Sequence, residues 1–303
     1  MSTQTPTLHQ ALTGISGILV TPFDADNTIQ PAGLQAIIDR ADRSGVDILV
    51  VNGNTSEYYA LREQEALTMM QAVTDMTAGR RFVVNGVGRS IGEACDLARA
   101  SKRAGVDAIM VHQPPDPFVA PRGVVDYVER VTDAAQGLPV VLYLRNDNIG
   151  IDTIARLTAI PGVVGVKWAT PNVLKLGQAI RACAPEVVWV CGLAETWAPP
   201  MYAMGAKGFT SGLINIWPAR SVAILQALRA GDYAQAQVLI AEIEEFETIR
   251  AEEMNGTNVT GVKAALQLLG EDCGPTRAPA AWPLNDTQQA RLANLLRNAG
   301  LIQ

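Results

Sequence analysis

The octapeptide Pro161-Gly162-Val163-Val164-Gly165-Val166-Lys167-Trp168 combines three signals in one short segment. Its Pro-Gly pair indicates a turn, and the run of β-branched residues that follows is typical of a buried strand. The strand ends on Lys167, although lysine is among the residue types least often found buried. A turn, then an apolar strand, then a polar residue at its end is a pattern that recurs along the chain.

Strand segments alternate with helical segments eight times between residues 15 and 229. The units follow one another at intervals of about 20–35 residues, which is typical of a (β/α)8 TIM barrel. The predicted strands cover residues 15–20, 47–51, 81–85, 107–111, 139–143, 163–167, 187–191 and 208–210. Nearly continuous apolar strands also fit a parallel sheet that is covered on its outer face. A doubly wound open sheet is the alternative, although such a sheet usually needs fewer units.

After Gly231 the pattern changes, and only helical segments are predicted. They cover residues 233–253, 260–269 and 286–299. The sequence therefore predicts an α/β protein with a (β/α)8 barrel over residues 1–230 and a C-terminal helical region over residues 231–303.

Composition excludes several classes of protein. The net charge of -6 over 303 residues argues against nucleic acid as a partner, because nucleic acid requires a basic face. The N-terminus has no signal-peptide pattern, and no apolar run is long enough to span a membrane, so we expect a cytoplasmic protein without a membrane partner. Two histidines and four cysteines without CxxC spacing make a metal site improbable. The segment 86–92 is similar to a dinucleotide loop, but its third glycine comes one residue late, so no cofactor is expected.

Polar side chains lie at the predicted C-terminal ends of the strands, where barrel enzymes carry their active sites. These positions are Thr21, residues 52–57, residues 85–86, His112, Tyr143, Lys167, Gly192, and Thr210 with Ser211. They provide small polar groups around one lysine and one tyrosine, without a cluster of carboxylates. A site of this composition suits an organic anion.

Lys167 is the candidate nucleophile. A lysine held in a dry environment has a depressed pKa, and its neutral amine condenses with a ketone to form a Schiff base. The alternative is a lysine that snorkels to solvent or pairs with a carboxylate. The other lysines, including Lys263, are interpreted as ordinary helix or turn residues.

Three further features each allow two interpretations. The loop Gly53-Asn54-Thr55-Ser56-Glu57 offers backbone N–H groups and hydroxyls to a carboxylate, or is an ordinary capped turn. Tyr143 could reach the same cavity as Lys167, or serve as a core residue with a satisfied hydroxyl. His112 could act as an acid or base, or make a structural hydrogen bond.

Taken together, these residues resemble the dihydrodipicolinate synthase / N-acetylneuraminate lyase family of class I aldolases. The resemblance covers nearly the whole chain. It rests on the segments 17–23, 53–57, Tyr143, 165–167, and 208–211 with Asn215, which match the family's motifs in order. The resemblance implies that Lys167 forms an imine with a 2-oxo acid and that Tyr143 transfers protons. It also implies substrate binding by Gly53, Asn54, Thr55, Gly192, Thr210 and Ser211.

The chain departs from the synthases of this family at several positions. The segment from His112 to Asp116 lacks their second tyrosine, Asn54 replaces a threonine, and Asn148 stands where they carry an arginine. Instead, residues 143–148 are similar to a segment of 5-dehydro-4-deoxyglucarate dehydratases. Arg145 in this segment could bind a second carboxylate or a polyol, or form a salt bridge at the rim.

The sequence therefore predicts a Schiff-base-forming carbon-carbon or carbon-oxygen lyase, an aldolase or dehydratase, that acts on a 2-oxo acid such as a 2-keto-3-deoxy sugar acid. The alternative is 4-hydroxy-tetrahydrodipicolinate synthase, which condenses pyruvate with aspartate semialdehyde. An alternative of another class is a non-catalytic protein that binds 2-oxo acids. The resemblance also implies a homo-oligomer, either a dimer or a tetramer.

Overall fold

A computed structural model describes residues 7–303 of the chain. Eight parallel strands close into a barrel in sequence order, which confirms the predicted (β/α)8 fold. The strands are β1 (Ile15–Ile18), β2 (Ile48–Val51), β3 (Phe82–Val87), β4 (Ala108–His112), β5 (Val140–Leu144), β6 (Val163–Trp168), β7 (Val188–Cys191) and β8 (Gly208–Ser211).

Helices follow the strands and continue beyond the last of them. They are α1 (Leu8–Leu12), α2 (Gln35–Ser44), α3 (Glu63–Thr77), α4 (Ile91–Ala104), α5 (Pro121–Ala134), α6 (Ile151–Thr158), α7 (Val173–Ala182), α8 (Ala198–Met204), α9 (Pro218–Arg229), α10 (Tyr233–Ala241), α11 (Glu244–Asn255), α12 (Asn258–Leu268) and α13 (Asp286–Asn298). None of these helices, within residues 7–303, is both long and apolar enough to cross a membrane.

The chain divides into two compact units, each built from separate segments. The first comprises the chain up to Ser16, Asp47–Val50 and Gly79–Thr210. It contains α4 to α8, and its strands β4, β5 and β6 pair in parallel with every residue of β4 and β5 buried. Near-continuous apolar strands are typical of a sheet that is covered on both faces. These strands place the site described below.

The second unit comprises Gly17–Val46, Val51–Ala78 and Ser211–Gln303. It contains α2, α3 and the helices from α9 to α13. Phe246 and Ile249 of α11, Val262 of α12 and Leu292 of α13 are completely buried and form part of its core. Because both units are discontinuous in sequence, the predicted boundary at residue 230 stays a prediction.

The C-terminal region differs from the prediction at two places. The single helix predicted over 233–253 is wrong, because α10 ends at Ala241 and α11 begins at Glu244. Within α11, Glu253 and Met254 take left-handed backbone conformations. No glycine or proline marks the first break, whereas Gly256 follows shortly after the second. The carboxylate of Glu252 beside the second break bonds Gln288 and Arg291 of α13, so contacts distant in sequence accompany that break.

The short helix α1 was not predicted. Thr7 caps it, and Oε1 of Gln10 accepts a hydrogen bond from the backbone N–H of Thr7. This is a capping box, and the Thr-x-x-Gln spacing that signals it is present in the sequence.

Candidate active site

His112, Tyr143 and Lys167 are paired side by side on three neighbouring strands. His112 of β4 is in register with Tyr143 of β5, and Tyr143 is in register with Lys167 of β6. Residues paired laterally in a parallel sheet point to the same face, so the three side chains share one side of the sheet. All three are buried.

The amine of Lys167 lies against the face of an aromatic ring. Its Nζ is 4.1 Å from the centre of the Tyr143 ring, and the side chain does not snorkel, because the residue is only 4% exposed. Burial, and to a smaller extent the positive charge of Arg145, lower the pKa of Lys167 to about 7. Near pH 7 a large fraction of this amine is therefore neutral and nucleophilic.

On the side of Tyr143 away from β6, its ring contacts the ring of His112 on β4. The two rings meet edge to face, with centroids 5.1 Å apart and planes at 72°. Edge-to-face packing is a preferred geometry for aromatic pairs, so this contact stabilises the orientation of the Tyr143 ring. The strand pairing and the ring contact together determine where the aromatic face beneath Lys167 lies.

Gly192 leaves room for the stem of Lys167. Its backbone N–H donates to the carbonyl of Trp168 at 2.7 Å. A Cβ atom at this position would lie 2.8 Å from the Trp168 carbonyl oxygen and 3.0 Å from Cγ of Lys167. Glycine is therefore required for this close approach. Cys191, the residue before Gly192, is a buried thiol. Burial raises its pKa to about 12, so it stays protonated near pH 7.

The loop after β5, which carries Arg145, is held by hydrogen bonds to the side chain of Gln113, a residue that was not among the predicted site residues. Oε1 of Gln113 accepts hydrogen bonds from the backbone N–H groups of Arg145, at 2.8 Å, and Asn146, at 2.9 Å. Gln113 itself is buried. A polar residue directly after a strand end was the available signal. Arg145 is exposed, and its charge acts on Lys167.

Two more features of the first unit were not predicted. Ala194 has φ 62° and ψ -165°, a region of conformational space that glycine alone adopts easily. The carboxylic residue Glu195 follows it and is completely buried. Thr210, the third residue of β8, is buried.

The remaining candidates, Gly53, Asn54, Thr55 and Ser211, belong to the second unit and are described there on their own. The loop 53–57 forms a tight turn in which the N–H of Ser56 donates to the carbonyl of Gly53 at 3.1 Å. Thr55 is buried and Asn54 is half-buried. The hydroxyl of Ser211 bonds Ser221 and the N–H of Ile214, so it serves local structure.

Lys263 was interpreted as an ordinary helix residue, and this interpretation is wrong. Its side chain is completely buried and pairs with Glu57 at 2.7 Å. The signal was the apolar sequence around it, Gly261-Val262-Lys263-Ala264-Ala265-Leu266. A lysine inside such a run is enclosed by its neighbours.

A partly neutral lysine inside a (β/α)8 barrel, lying on a tyrosine ring, is an arrangement suited to a Schiff-base-forming lyase. The comparisons agree with this class. The chain belongs to the dihydrodipicolinate synthetase family, whose model matches residues 11–299, and members of this family are Schiff-base lyases. The resemblance predicted from the sequence is therefore confirmed.

Named relatives span nearly the whole chain. A 4-hydroxy-tetrahydrodipicolinate synthase from Methanosarcina mazei is 30% identical over 295 residues, which cover 96% of this chain and 99% of the relative. A Rhizobium rhizogenes protein named "Probable 5-dehydro-4-deoxyglucarate dehydratase" is 28% identical over 291 residues, covering 94% and 95%. The crystal structure of dihydrodipicolinate synthase from Bacillus clausii has a TM-score of 0.93 and 35% identity, and covers 97% of this chain and 100% of that one.

Proposed function

We propose that Lys167 forms an imine with the ketone of a 2-oxo acid, and that the preferred substrate is a 2-keto-3-deoxy sugar acid. The observation that carries this proposal is the dry amine of Lys167 on the Tyr143 ring, with a pKa of about 7. The lysine can form an imine near neutral pH only if part of its amine is uncharged, because an ammonium ion is not a nucleophile.

In the first step the neutral amine of Lys167 attacks C2 of the substrate. The C2 oxygen takes up two protons and leaves as water, and the C=N bond of the protonated imine replaces the C=O bond. The positive nitrogen then withdraws electrons from C2, which makes a hydrogen on C3 acidic. Imine chemistry of this kind requires no metal or cofactor, because the nitrogen cation itself accepts the electron pair.

In the second step a base removes the C3 proton and an enamine forms. We assign Tyr143 to this proton transfer because it contacts the amine and is buried beside it. The enamine can expel a protonated 4-hydroxyl as water, which is dehydration. Cleavage of the bond between C3 and C4 begins instead from the protonated imine, which loses the 4-hydroxyl proton and receives the electrons of the broken bond. The enamine that cleavage leaves on the lysine takes up a proton at C3 and becomes a protonated imine again. In both reactions water then adds to C2 of the imine and releases the lysine.

The carboxylate of the 2-oxo acid is assigned to the loop after β2. Gly53, Asn54 and Thr55 supply N–H groups and a hydroxyl at the end of a barrel strand, where such enzymes bind their substrates. Gly192, Thr210 and Ser211 are assigned to the walls of the pyruvyl pocket. These assignments rest on strand position and on the family resemblance.

The sugar-acid preference rests on the loop after β5. Arg145 is an exposed cation two residues beyond Tyr143, and it offers a bidentate partner to a second carboxylate. The name of the Rhizobium relative refers to a sugar acid with two carboxylates, in agreement with this placement. Asn148 stands where the synthases carry an arginine, which disfavours aspartate semialdehyde as the acceptor.

Synthase activity is the second candidate function, because the Methanosarcina relative carries that name at 30% identity. The two functions differ in their products. The purified protein should be incubated with a panel of 2-keto-3-deoxy aldonic and aldaric acids, and separately with pyruvate and aspartate semialdehyde. Turnover of a sugar acid supports the proposal. Condensation alone would favour the synthase, and binding without turnover would favour a non-catalytic protein.

A cytoplasmic location and a homo-oligomeric state, dimer or tetramer, are part of the proposal. The oligomeric state rests on the family resemblance. Light scattering of the purified protein at several concentrations tests the oligomeric state directly. A monomer at all concentrations would contradict it.

A further inference from the structure

The loop 53–57 forms hydrogen bonds within itself and with the residues that follow β1. Oγ of Ser56 donates to the carbonyl of Leu19 at 2.6 Å and accepts from the N–H of Gly53 at 3.1 Å. The hydroxyl of Thr21 donates to the carbonyl of Ser56 at 2.6 Å. These bonds fix Gly53 and Ser56, which lie on either side of Asn54 and Thr55. They leave the end of the loop, Glu57, to be fixed by other contacts.

Glu57 closes the loop in a left-handed conformation, with φ 57° and ψ 32°. A residue with a side chain adopts this conformation only where the surroundings impose it. The N–H of Glu57 donates to the carbonyl of Asn54 at 3.0 Å, which completes the turn. The conformation of Glu57 therefore helps to fix the backbone around Asn54 through this bond.

Both carboxylate oxygens of Glu57 are held by residues of the C-terminal region. Nζ of Lys263 lies 2.7 Å from Oε1, and the backbone N–H of Arg277 donates to Oε2 at 2.7 Å. Lys263 is 0% exposed and the side chain of Glu57 is 4% exposed, so the ion pair is dry. Nζ of Lys263 also donates to the carbonyl of Pro275 at 2.8 Å and lies over the ring of Phe23.

The helical turn after Glu57 is fastened by the same segment. The guanidinium of Arg277 makes two hydrogen bonds of 2.7 Å to the carboxylate of Glu65, and a third of 3.0 Å to the carbonyl of Ala60. The side chain of Arg277 also bonds the carbonyl of Asn27. The end of the loop and the residues that follow it are thus attached to one short piece of the C-terminal region.

We propose that the buried pair of Glu57 and Lys263 sets the affinity for the 2-oxo acid, by holding the loop 53–57 in its carboxylate-binding conformation. The inference rests on the proposed function of that loop. Lys263 and Glu57 are positioning residues in this account. A buried ion pair is expensive to desolvate and stabilises a fold poorly, but it can specify one conformation because breaking it leaves a charge uncompensated.

The test compares single and double substitutions. Glu57→Gln, Lys263→Met and the double variant are incubated with increasing pyruvate and borohydride, and the pyruvate concentration that gives half-maximal labelling is measured for each. The melting temperature is measured in parallel. We expect half-maximal labelling to need about 10- to 100-fold more pyruvate in each variant, because the apparent affinity falls with the fraction of protein whose loop is in the binding conformation. Labelling at saturating pyruvate remains complete, because Lys167 is untouched.

The double variant separates positioning from stability. Lys263→Met alone leaves the Glu57 carboxylate buried without its cation, so it lowers the melting temperature. The double variant removes both charges and regains stability, while its pyruvate requirement stays high. If the pyruvate requirement instead returns to the wild-type value together with the melting temperature, the positioning role is wrong. An unchanged requirement in all three variants also contradicts it.

Arg291→Met is the matched control. It breaks two partly exposed ion pairs in the same C-terminal region, those of Arg291 with Glu245 and with Glu252. Its pyruvate requirement should equal that of the wild type. Absence of labelling in the wild-type protein would refute the proposed function itself, and this inference with it, so the two failures are distinguishable.

Discussion

Nζ of Lys167 lies 4.1 Å from the centre of the Tyr143 ring, and the two residues are paired in register on adjacent strands. The aromatic face keeps water from the amine on that side. The exposed Arg145 adds a positive charge that opposes protonation of the amine. A lysine in this setting is partly uncharged near pH 7, and the predictions below follow from that.

The pH dependence of imine formation should follow the pKa of Lys167. Because that pKa is lowered to about 7, the neutral fraction rises steeply between about pH 6 and pH 8. Stopped-flow measurement of imine formation at saturating pyruvate should show a rate that increases over this range and then levels off. A rate that keeps rising up to pH 10 would show that the amine titrates as an ordinary lysine.

Lys167→Met should stabilise the protein. The unfolded lysine keeps its proton up to pH 10.5, whereas the folded one releases it near pH 7. At pH 7 the folded lysine is only about half-protonated, so its lowered pKa reduces the free energy of unfolding by about 4 kcal/mol, at about 1.4 kcal/mol for each unit of pKa. The unfolded state binds more protons between pH 7 and 10.5, so stability of the wild type rises with pH over this window. Urea unfolding should show a gain for the variant at pH 7 that shrinks at pH 9.

Arg145→Gln should raise the pKa of Lys167, because it removes a positive charge that opposes protonation. The pH profile of imine formation should then move to higher pH, and the rate at pH 7 should fall. Since Arg145 is exposed, the displacement between the two profiles should shrink as salt is added. Measurement at saturating pyruvate excludes an effect on substrate affinity. Identical profiles would mean that this charge does not act on the amine.

Tyr143→Phe should separate imine formation from proton transfer. The ring remains under the amine, so borohydride labelling with pyruvate should be unchanged. The hydroxyl is lost, and exchange of the pyruvate methyl hydrogens in deuterated water should slow by about 10²- to 10⁴-fold, the usual effect of a general acid-base group. Proton NMR follows this exchange. Exchange at the wild-type rate would remove Tyr143 from the proton transfer.

Gly192→Ala should displace the stem of Lys167. The added Cβ would lie 3.0 Å from Cγ of the lysine and closer still to a backbone carbonyl, and overpacking of this kind costs about 1–3 kcal/mol. Both the free energy of unfolding and the rate of imine formation should fall. Gly123→Ala is the control, because that helical glycine has open space around its Cα. The control should leave the rate unchanged and stabilise α5 slightly.

The sequence was sufficient to predict the barrel and to select Tyr143 and Lys167 as candidate site residues, which the structure pairs in register on neighbouring strands. Apolar strands with helices between them have a strong period, and the strand ends identify Tyr143 and Lys167 because the fold places function there. The predicted strand bounds agree closely with β2, β6 and β7. These features depend on local pattern, which a single sequence contains.

Contacts between residues that are distant in sequence could not be predicted from local sequence patterns. Gln113 bonds the loop after β5, about 30 residues away, and nothing in its neighbourhood indicates that partner. Lys263 reaches Glu57 across more than 200 residues, so its burial was misjudged from its helical position. The break before Glu244 has no glycine or proline to mark it. Each of these features is decided by tertiary packing rather than by local propensity.

Borohydride reduction in the presence of pyruvate tests the central claim most directly. The wild-type protein and Lys167→Met are treated in parallel, digested, and analysed by mass spectrometry. We predict one reduced pyruvyl group on the peptide that contains Lys167, and no labelled peptide in the variant. A wild-type protein that remains unlabelled, or a label on another lysine, would contradict the claim that Lys167 is the Schiff-base lysine.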